Sequence, residues 1–160
     1  MGRPFESVRA CHYNLPMISD LLHIHVACAI IERDGLTLAA RRSEKMSLPL
    51  KWEFPGGKID AGESLKDCLV RELQEELGVR ISVGLPLNQT THSYPLFTVT
   101  LYPFICRIIS GEITIHEHAE IAWLQPHELP SLDWAEADLP VIAAYLELKS
   151  AAGSESGEEG

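Results

Sequence analysis

No stretch of this sequence approaches the about 20 consecutive apolar residues that a membrane-spanning helix requires. Positive charge is also scarce: 13 Lys and Arg stand against 23 Asp and Glu, for a formal net charge of −10. Binding to polymeric DNA or RNA relies on clustered Lys and Arg, so that partner class is not expected. A single nucleotide delivered with a divalent cation is compatible with the charge, because the metal offsets the phosphates. Cysteine is limited to Cys11, Cys28, Cys68 and Cys106, with no C-x-x-C pair. That suggests neither a zinc site nor a disulfide framework, and Cys28, Cys68 and Cys106 are expected to be reduced and buried. The N-terminal residues lack an apolar core followed by a small-residue cleavage site, so they do not read as a secretory signal. A cytoplasmic protein without a membrane segment is the expectation, and no internal repeat is present.

The 160 residues suffice for one compact domain with a sizeable core. Residues 1–22 include Pro4 and Pro16 and show no sustained periodicity, so they read as an extension, with Met17 a possible start of the functional unit. The domain is expected over 23–149. Residues 150–160, small and acidic from Gly153 onward, are expected to be a disordered tail.

The β-branched run His23 to Ile31, the Asp34-Gly35 turn and Leu36 to Arg41 predict a strand–turn–strand unit. A polar loop with Pro49 follows, then Trp52-Glu53-Phe54 and the punctuating Pro55-Gly56-Gly57. Leu65, Leu69, Leu73 and Leu77 recur every four residues and predict a helix over 64–77, stopped by Gly78. Further strands are predicted at Ile81 to Val83, Phe97 to Ile109, Ile113 to Ile115 and Ile121 to Leu124. A second helix is predicted over Leu139 to Lys149, with Asp138 as its N-cap and Pro140 in its first turn. The order predicts an α/β fold with mixed sheet pairing.

Chemistry concentrates between residues 57 and 79. Glu72, Glu75 and Glu76 stand at i, i+3 and i+4, which gathers their carboxylates on one helix face. Like charges this close repel unless something neutralises them. Hard divalent cations such as Mg²⁺ or Mn²⁺, which take oxygen ligands, do so. Gly56 and Gly57 let the backbone approach a metal or phosphate where a Cβ would obstruct. Arg71 can reach on to Glu75 or back to the loop and hold a carboxylate in position. An acidic, solvated helix face would need none of the surrounding pattern. Here Gly57, Glu63, Arg71, Glu72, Glu75, Glu76 and Gly78 stand in the spacing G-x5-E-x7-R-E-x2-E-E-x-G. Seven fixed residues at about 6% usage each match by chance on the order of 10⁻⁹ per starting position.

This segment resembles the Nudix box without substitution. From about 23 to 149, with Leu-Ala-Ala-Arg-Arg and Trp-Glu-Phe-Pro-Gly-Gly-Lys-Ile before the box, the chain resembles MutT-like enzymes of that family. The resemblance implies an α/β/α sandwich around a mixed sheet, and hydrolysis of a nucleoside triphosphate to monophosphate and pyrophosphate. It implies Glu72 and Glu76 as metal ligands, joined by Glu75 and the Gly56 carbonyl, with Glu75 or Glu76 as the base. An acidic ligand from the loop before the last core strand is Glu117, six residues before Trp123, or alternatively Glu120. Arg71 completes the catalytic set. Relatives occur as monomers and as homodimers.

Base recognition is expected from Arg42, Glu53, Phe97 and Asp138. Phe97 stands where enzymes that remove oxidised dGTP carry an Arg, and a ring stacks on a base without donating to it. Phe97 could equally begin a buried strand. The stretch from His118 to Ile142 resembles relatives that cleave cytidine triphosphates, so oxidised dGTP and CTP or dCTP are both expected candidates. His116-Glu117-His118 is not the H-E-x-x-H zinc signature and reads as a polar loop. An ADP-ribose, NADH or dinucleoside polyphosphate hydrolase is the alternative enzyme, although the S-Q-P-W-P-F-P-x-S run of NADH-cleaving members is absent. A nucleotide-binding module that does not cleave would show eroded glutamates, and Glu72, Glu75 and Glu76 are all present.

Overall fold

The computed structural model describes residues 22–156. Of the expected extension over 1–22, all but Leu22 lies outside the described residues, as does Cys11. Strand β1 (His23–Arg33) is central. It runs parallel to β7 (Thr98–Ser110), in register from His23 opposite Thr98 to Ile31 opposite Cys106. Its other side is shared by β4 (Gly56–Lys58), opposite Val26 to Cys28, and β2 (Leu36–Arg41), opposite Glu32 and Arg33, both antiparallel. The β1–β2 turn has Asp34 at φ 54° and Gly35 at φ 78°. Two successive left-handed residues are the hairpin turn whose twist suits flanking strands, which is why Asp-Gly marks it.

Strand β2 also pairs with β3 (Trp52–Glu53) and β8 (Glu120–Leu124), while β5 (Arg80–Pro86) and β6 (Thr90–Ser93) pair with β7. The pairing is mixed, as expected. Side chains alternate across β1: Ala27, Ala29 and Ile31 meet Leu69, Leu73 and Leu77 of α1 (Leu65–Leu77) on one face. Cys28 and Ile30 join Val141, Ile142 and Tyr145 of α2 (Leu139–Ser156) on the other. A strand has period 2, so one apolar run feeds two cores and the result is an α/β/α sandwich. Cys28, Cys68 and Cys106 are free and buried, as the sequence suggests.

Helix α1 follows its sequence signals. The Ser64 side chain accepts the Asp67 N–H at the N-terminus, and Gly78 closes the C-terminus at φ 69° with its N–H on the Gln74 carbonyl. Three expectations need correction. Ile113 to Ile115 is not a strand: Gly111 packs on the Gly78 carbonyl, and the Thr114 N–H donates to the Leu77 carbonyl at 2.9 Å, so this backbone caps α1. Helix α2 continues to Ser156, past the expected end at Lys149, so the tail expected over 150–160 is helical as far as 156. Ser150, Ala151 and Ala152 give the helix no reason to stop. Finally, residues 136–138 form a 3₁₀ turn that leads directly into α2, and the Asp138 carboxylate turns away to accept the Phe54 N–H. The N-cap role expected for Asp138 is thus replaced by a tie between α2 and the segment leading to Gly56.

Candidate active site

Burying Leu69, Leu73 and Leu77 against the sheet fixes the rotation of α1 and turns Glu72 and Glu76 toward the β3–β4 segment. There the two glycines act differently. A Cβ on Gly56 would come within 2.0 Å of the Ala27 carbonyl oxygen, so glycine lets β4 lie on β1. A Cβ on Gly57 would come within 2.1 Å of the Glu72 carboxyl carbon, so the absent side chain is the space in which Glu72 sits.

Arg71 organises the outer carboxylates. Its Nε and Nη2 donate to the two Glu63 oxygens at 2.8 and 2.9 Å, a bidentate pair. Its Nη1 donates to Glu72 at 2.8 Å and Glu75 at 3.3 Å, and Nη2 also reaches the Lys58 carbonyl at 3.3 Å. The same guanidinium lies 3.3 Å from Asp60. The Glu63 carboxyl is pulled down to about 2, first by the Arg71 hydrogen bond and then by the Asp60 N–H. Both of the directions in which Arg71 was expected to reach are realised at once.

The inner carboxylates behave oppositely. Burial raises Glu72 above the usual range, against the pull of Arg71. Glu76 is pushed up to about 8, first by burial and further by Glu72, Glu53 and Glu117, while His118 opposes the shift. Its Oε2 is buried without a hydrogen-bond partner. Glu75 is 60% exposed, and Glu117 stands exposed on the loop before β8, near enough for its charge to act on Glu76. The other loop carboxylate, Glu120, is taken up by Arg41 at 2.9 Å.

Among the described residues, no three His, Cys, Asp or Glu side chains close on one point. The donor set nevertheless fits a divalent cation. An orphaned buried carboxylate oxygen on Glu76, a second carboxylate in the Gly57 cradle that Arg71 holds by one oxygen, and a third on the facing loop are hard oxygen donors. The unmet cost of burying the Glu76 carboxylate is what a cation would remove.

The residues expected at the base lie beside this group. Arg42 Nη1 donates to Glu53 Oε1 at 2.5 Å, while its Nε and Nη2 hold the Ser47 carbonyl and hydroxyl. Asp138 is buried, and its carboxyl is pushed up to about 8 by burial and then by Glu53, against the Phe54 N–H and Arg42. Phe97 lies 4.9 Å, ring to ring, from Tyr94, whose hydroxyl accepts the Ala137 N–H beside Asp138. Phe97 therefore both precedes β7, packed on the α2-side core, and borders the turn that carries Asp138.

One residue escapes the sequence reading. His118, expected in a polar loop, has a side chain only 1% exposed and hydrogen-bonds Glu53 Oε2 through Nε2 at 2.9 Å. Burial works against a charged ring, but the hydrogen bond and the charges of Glu53 and Glu76 outweigh it and raise the pKa. Its pairing spans 65 residues of chain, so local pattern carried no signal beyond the Glu-His pair itself.

Residues 21–145 match the family model described as NUDIX domain. A CTP pyrophosphohydrolase of Escherichia coli K12 is 36% identical over 128 residues, covering 80% of this chain and 95% of that protein. An 8-oxo-dGTP diphosphatase of the same organism is 31% identical over 126 residues, covering 78% and 98%. The solution structure of the DNA mismatch repair protein MutT, a Nudix hydrolase from methicillin-resistant Staphylococcus aureus 252, superposes with a TM-score of 0.65 at 43% identity, covering 78% of this chain and 96% of that one. Family match, relatives and the glutamate-lined glycine cradle agree: the chain belongs to the Nudix hydrolase family.

Proposed function

We propose that this chain hydrolyses a nucleoside triphosphate to the monophosphate and pyrophosphate, with Mg²⁺ or Mn²⁺ held by Glu72, Glu76, Glu75, Glu117 and the Gly56 carbonyl. The observation that carries the reading is the buried, unpartnered Oε2 of Glu76 beside Glu72 in its cradle. When bound, the cation supplies charge neutralisation for the phosphates and makes a water more acidic. Glu75 or Glu76 takes the proton of the attacking water, and the α–β anhydride breaks to give the monophosphate and pyrophosphate. Arg71 holds Glu72 and Glu75 against their mutual repulsion. Phe97, Asp138, Glu53 and Arg42 face the base.

The named relatives supply two substrate candidates, CTP from one and 8-oxo-dGTP from the other, and dCTP joins them from the resemblance of the sequence. Pyrophosphate release across the common (d)NTPs, oxidised dGTP and ADP-ribose tests the reading. Preference for a cytidine or an oxidised guanine triphosphate fits; cleavage of ADP-ribose alone, or of nothing, overturns it. Such an enzyme would work in the cytoplasm, as a monomer or homodimer, on free nucleotides and not on a polymer. No helix among the described residues is long and apolar enough to cross a membrane.

A further inference from the structure

We propose that His118 is a positioning residue: by hydrogen-bonding Glu53, it sets where the neighbouring Glu117 stands relative to Glu72 and Glu76. The inference rests on the reading of Glu117 as part of the cation site. The site is assembled from parts of the chain with no local reason to meet. Helix α1 supplies Glu72 and Glu76, the β3–β4 segment supplies the Gly56 carbonyl and the Gly57 cradle, and the loop before β8 supplies Glu117. The Asp138 bond to Phe54 secures the second part from the α2 side. Besides the Arg41–Glu120 ion pair at the start of β8, the third part is tied beside its carboxylate in two places. One is the Ala119 N–H on the Arg41 carbonyl at 2.8 Å, and the other is the His118 ring on Glu53 at 2.9 Å.

The ring is poorly explained as packing. An apolar side chain would fill the space without a polar atom to satisfy, whereas Nδ1 of His118 is buried with no partner among the described residues. Leaving such an atom unpaired is destabilising, so the Nε2 contact is what the imidazole contributes. A carboxylate held by the Arg42 guanidinium accepts, so the His118 Nε2 donates to it. Glu53 is itself clamped by Arg42 at 2.5 Å, and it stands in β3 opposite Ala40 and three residues before Gly56. His118 therefore fastens the loop that carries an exposed carboxylate, one residue away, to the strand that leads into the glycine cradle. Donor placement to within a fraction of an ångström depends on such supporting contacts, and their loss typically weakens a metal site by about 10–100-fold.

The test compares His118→Leu, Glu117→Gln and the double variant, with His118→Gln as the conservative replacement that retains an N–H donor. Mn²⁺ binding to the substrate-free protein is read by electron paramagnetic resonance, alongside kcat and KM for triphosphate hydrolysis. We expect His118→Leu to weaken Mn²⁺ binding about tenfold and to lower kcat while leaving KM nearly unchanged. His118→Gln should recover part of both, and the double variant should bind Mn²⁺ no worse than Glu117→Gln alone, because both changes remove one effect. Additive losses in the double variant, or wild-type Mn²⁺ binding by His118→Leu, would overturn the proposal. Should His118→Leu not fold, His118→Gln and its double variant with Glu117→Gln carry the same comparison. Mn²⁺ binding needs no turnover, so the outcome stands even where the wild-type protein releases no pyrophosphate, a result that counts against the triphosphate reading instead.

Discussion

At the scale of single residues, the missing side chain of Gly57 and the buried carboxyl of Asp138 hold the site in place. Gly57→Ala would place a Cβ in the carboxyl group of Glu72, at 2.1 Å from its carbon. The backbone can accept alanine, so the fold should survive while Glu72 is displaced. A misplacement of about 1 Å can lower kcat about 100-fold, which steady-state kinetics beside a thermal melt would show. Asp138 gives a pH signature. Its carboxyl is raised to about 8, so between its ordinary pKa and that value the folded state holds a proton that the unfolded state has lost. Stability from this group is therefore present at low pH and falls as pH rises through that window. Asp138→Asn can still accept the Phe54 N–H but cannot titrate, so its denaturation midpoint should fall less steeply from pH 5 to about 8 than that of the wild type. Equal slopes would show that the Asp138 proton is not what the fold holds. The gathering of the box glutamates and Arg71 was legible in the sequence because it follows from helix spacing; the two glycines were legible as places where a Cβ would obstruct, but what it would strike is the Ala27 carbonyl and the Glu72 carboxyl. Asp138 and His118 were not legible in their actual contacts, because each bonds a residue far away in the chain, Phe54 or Glu53.

At the scale of elements, α1 carries the carboxylates and the core with the same register. Leu73 is fully buried against β1. Leu73→Ala should cost about 2–5 kcal/mol and Ser64→Ala about 1 kcal/mol, read from urea midpoints at constant slope. The first loosens the rotation of α1 and should reduce activity even in conditions where the protein is folded. The second frays the end farthest from Glu76 and should leave turnover of the folded protein nearly intact. This helix was legible to within a residue because its stripe, its cap and its stop are all local. The segment Ile113 to Ile115 was misread for the opposite reason. Its alternation is strand-like, but its backbone donor is claimed by the C-terminal carbonyl of α1, a partner only the fold supplies. The short β6 (Thr90–Ser93) is polar and exists by pairing with Thr98 to Leu101 of β7, so composition gave no hint of it.

At the scale of the whole molecule, two cores share one sheet, and the far core is closed by α2. The buried Tyr145 hydroxyl donates to Glu32 at 2.5 Å and sits 2.8 Å from the Thr37 hydroxyl, while Lys149 pairs with the same Glu32. Tyr145→Phe leaves Glu32 and Thr37 short of a partner and should lower stability by about 1–3 kcal/mol, with the cation site, which meets β1 at Ala27 and Cys28, unaffected in its Mn²⁺ affinity. Mixed pairing followed from the order of the predicted elements, and the layer order from the resemblance of the box. The length of α2 did not, since no residue between Lys149 and Ser156 compels either a stop or a continuation. The central claim is that these layers exist to hold Glu76 and its neighbours around a cation that serves triphosphate cleavage. Its most direct test is to quantify monophosphate, pyrophosphate and orthophosphate together from the best triphosphate, with Mg²⁺, for the wild type and Glu76→Gln. The account predicts equal amounts of monophosphate and pyrophosphate from the wild type, no orthophosphate, and a loss of about 10²–10⁴-fold in rate for Glu76→Gln. Orthophosphate as the product, or a Glu76→Gln protein that turns over at the wild-type rate, would contradict it.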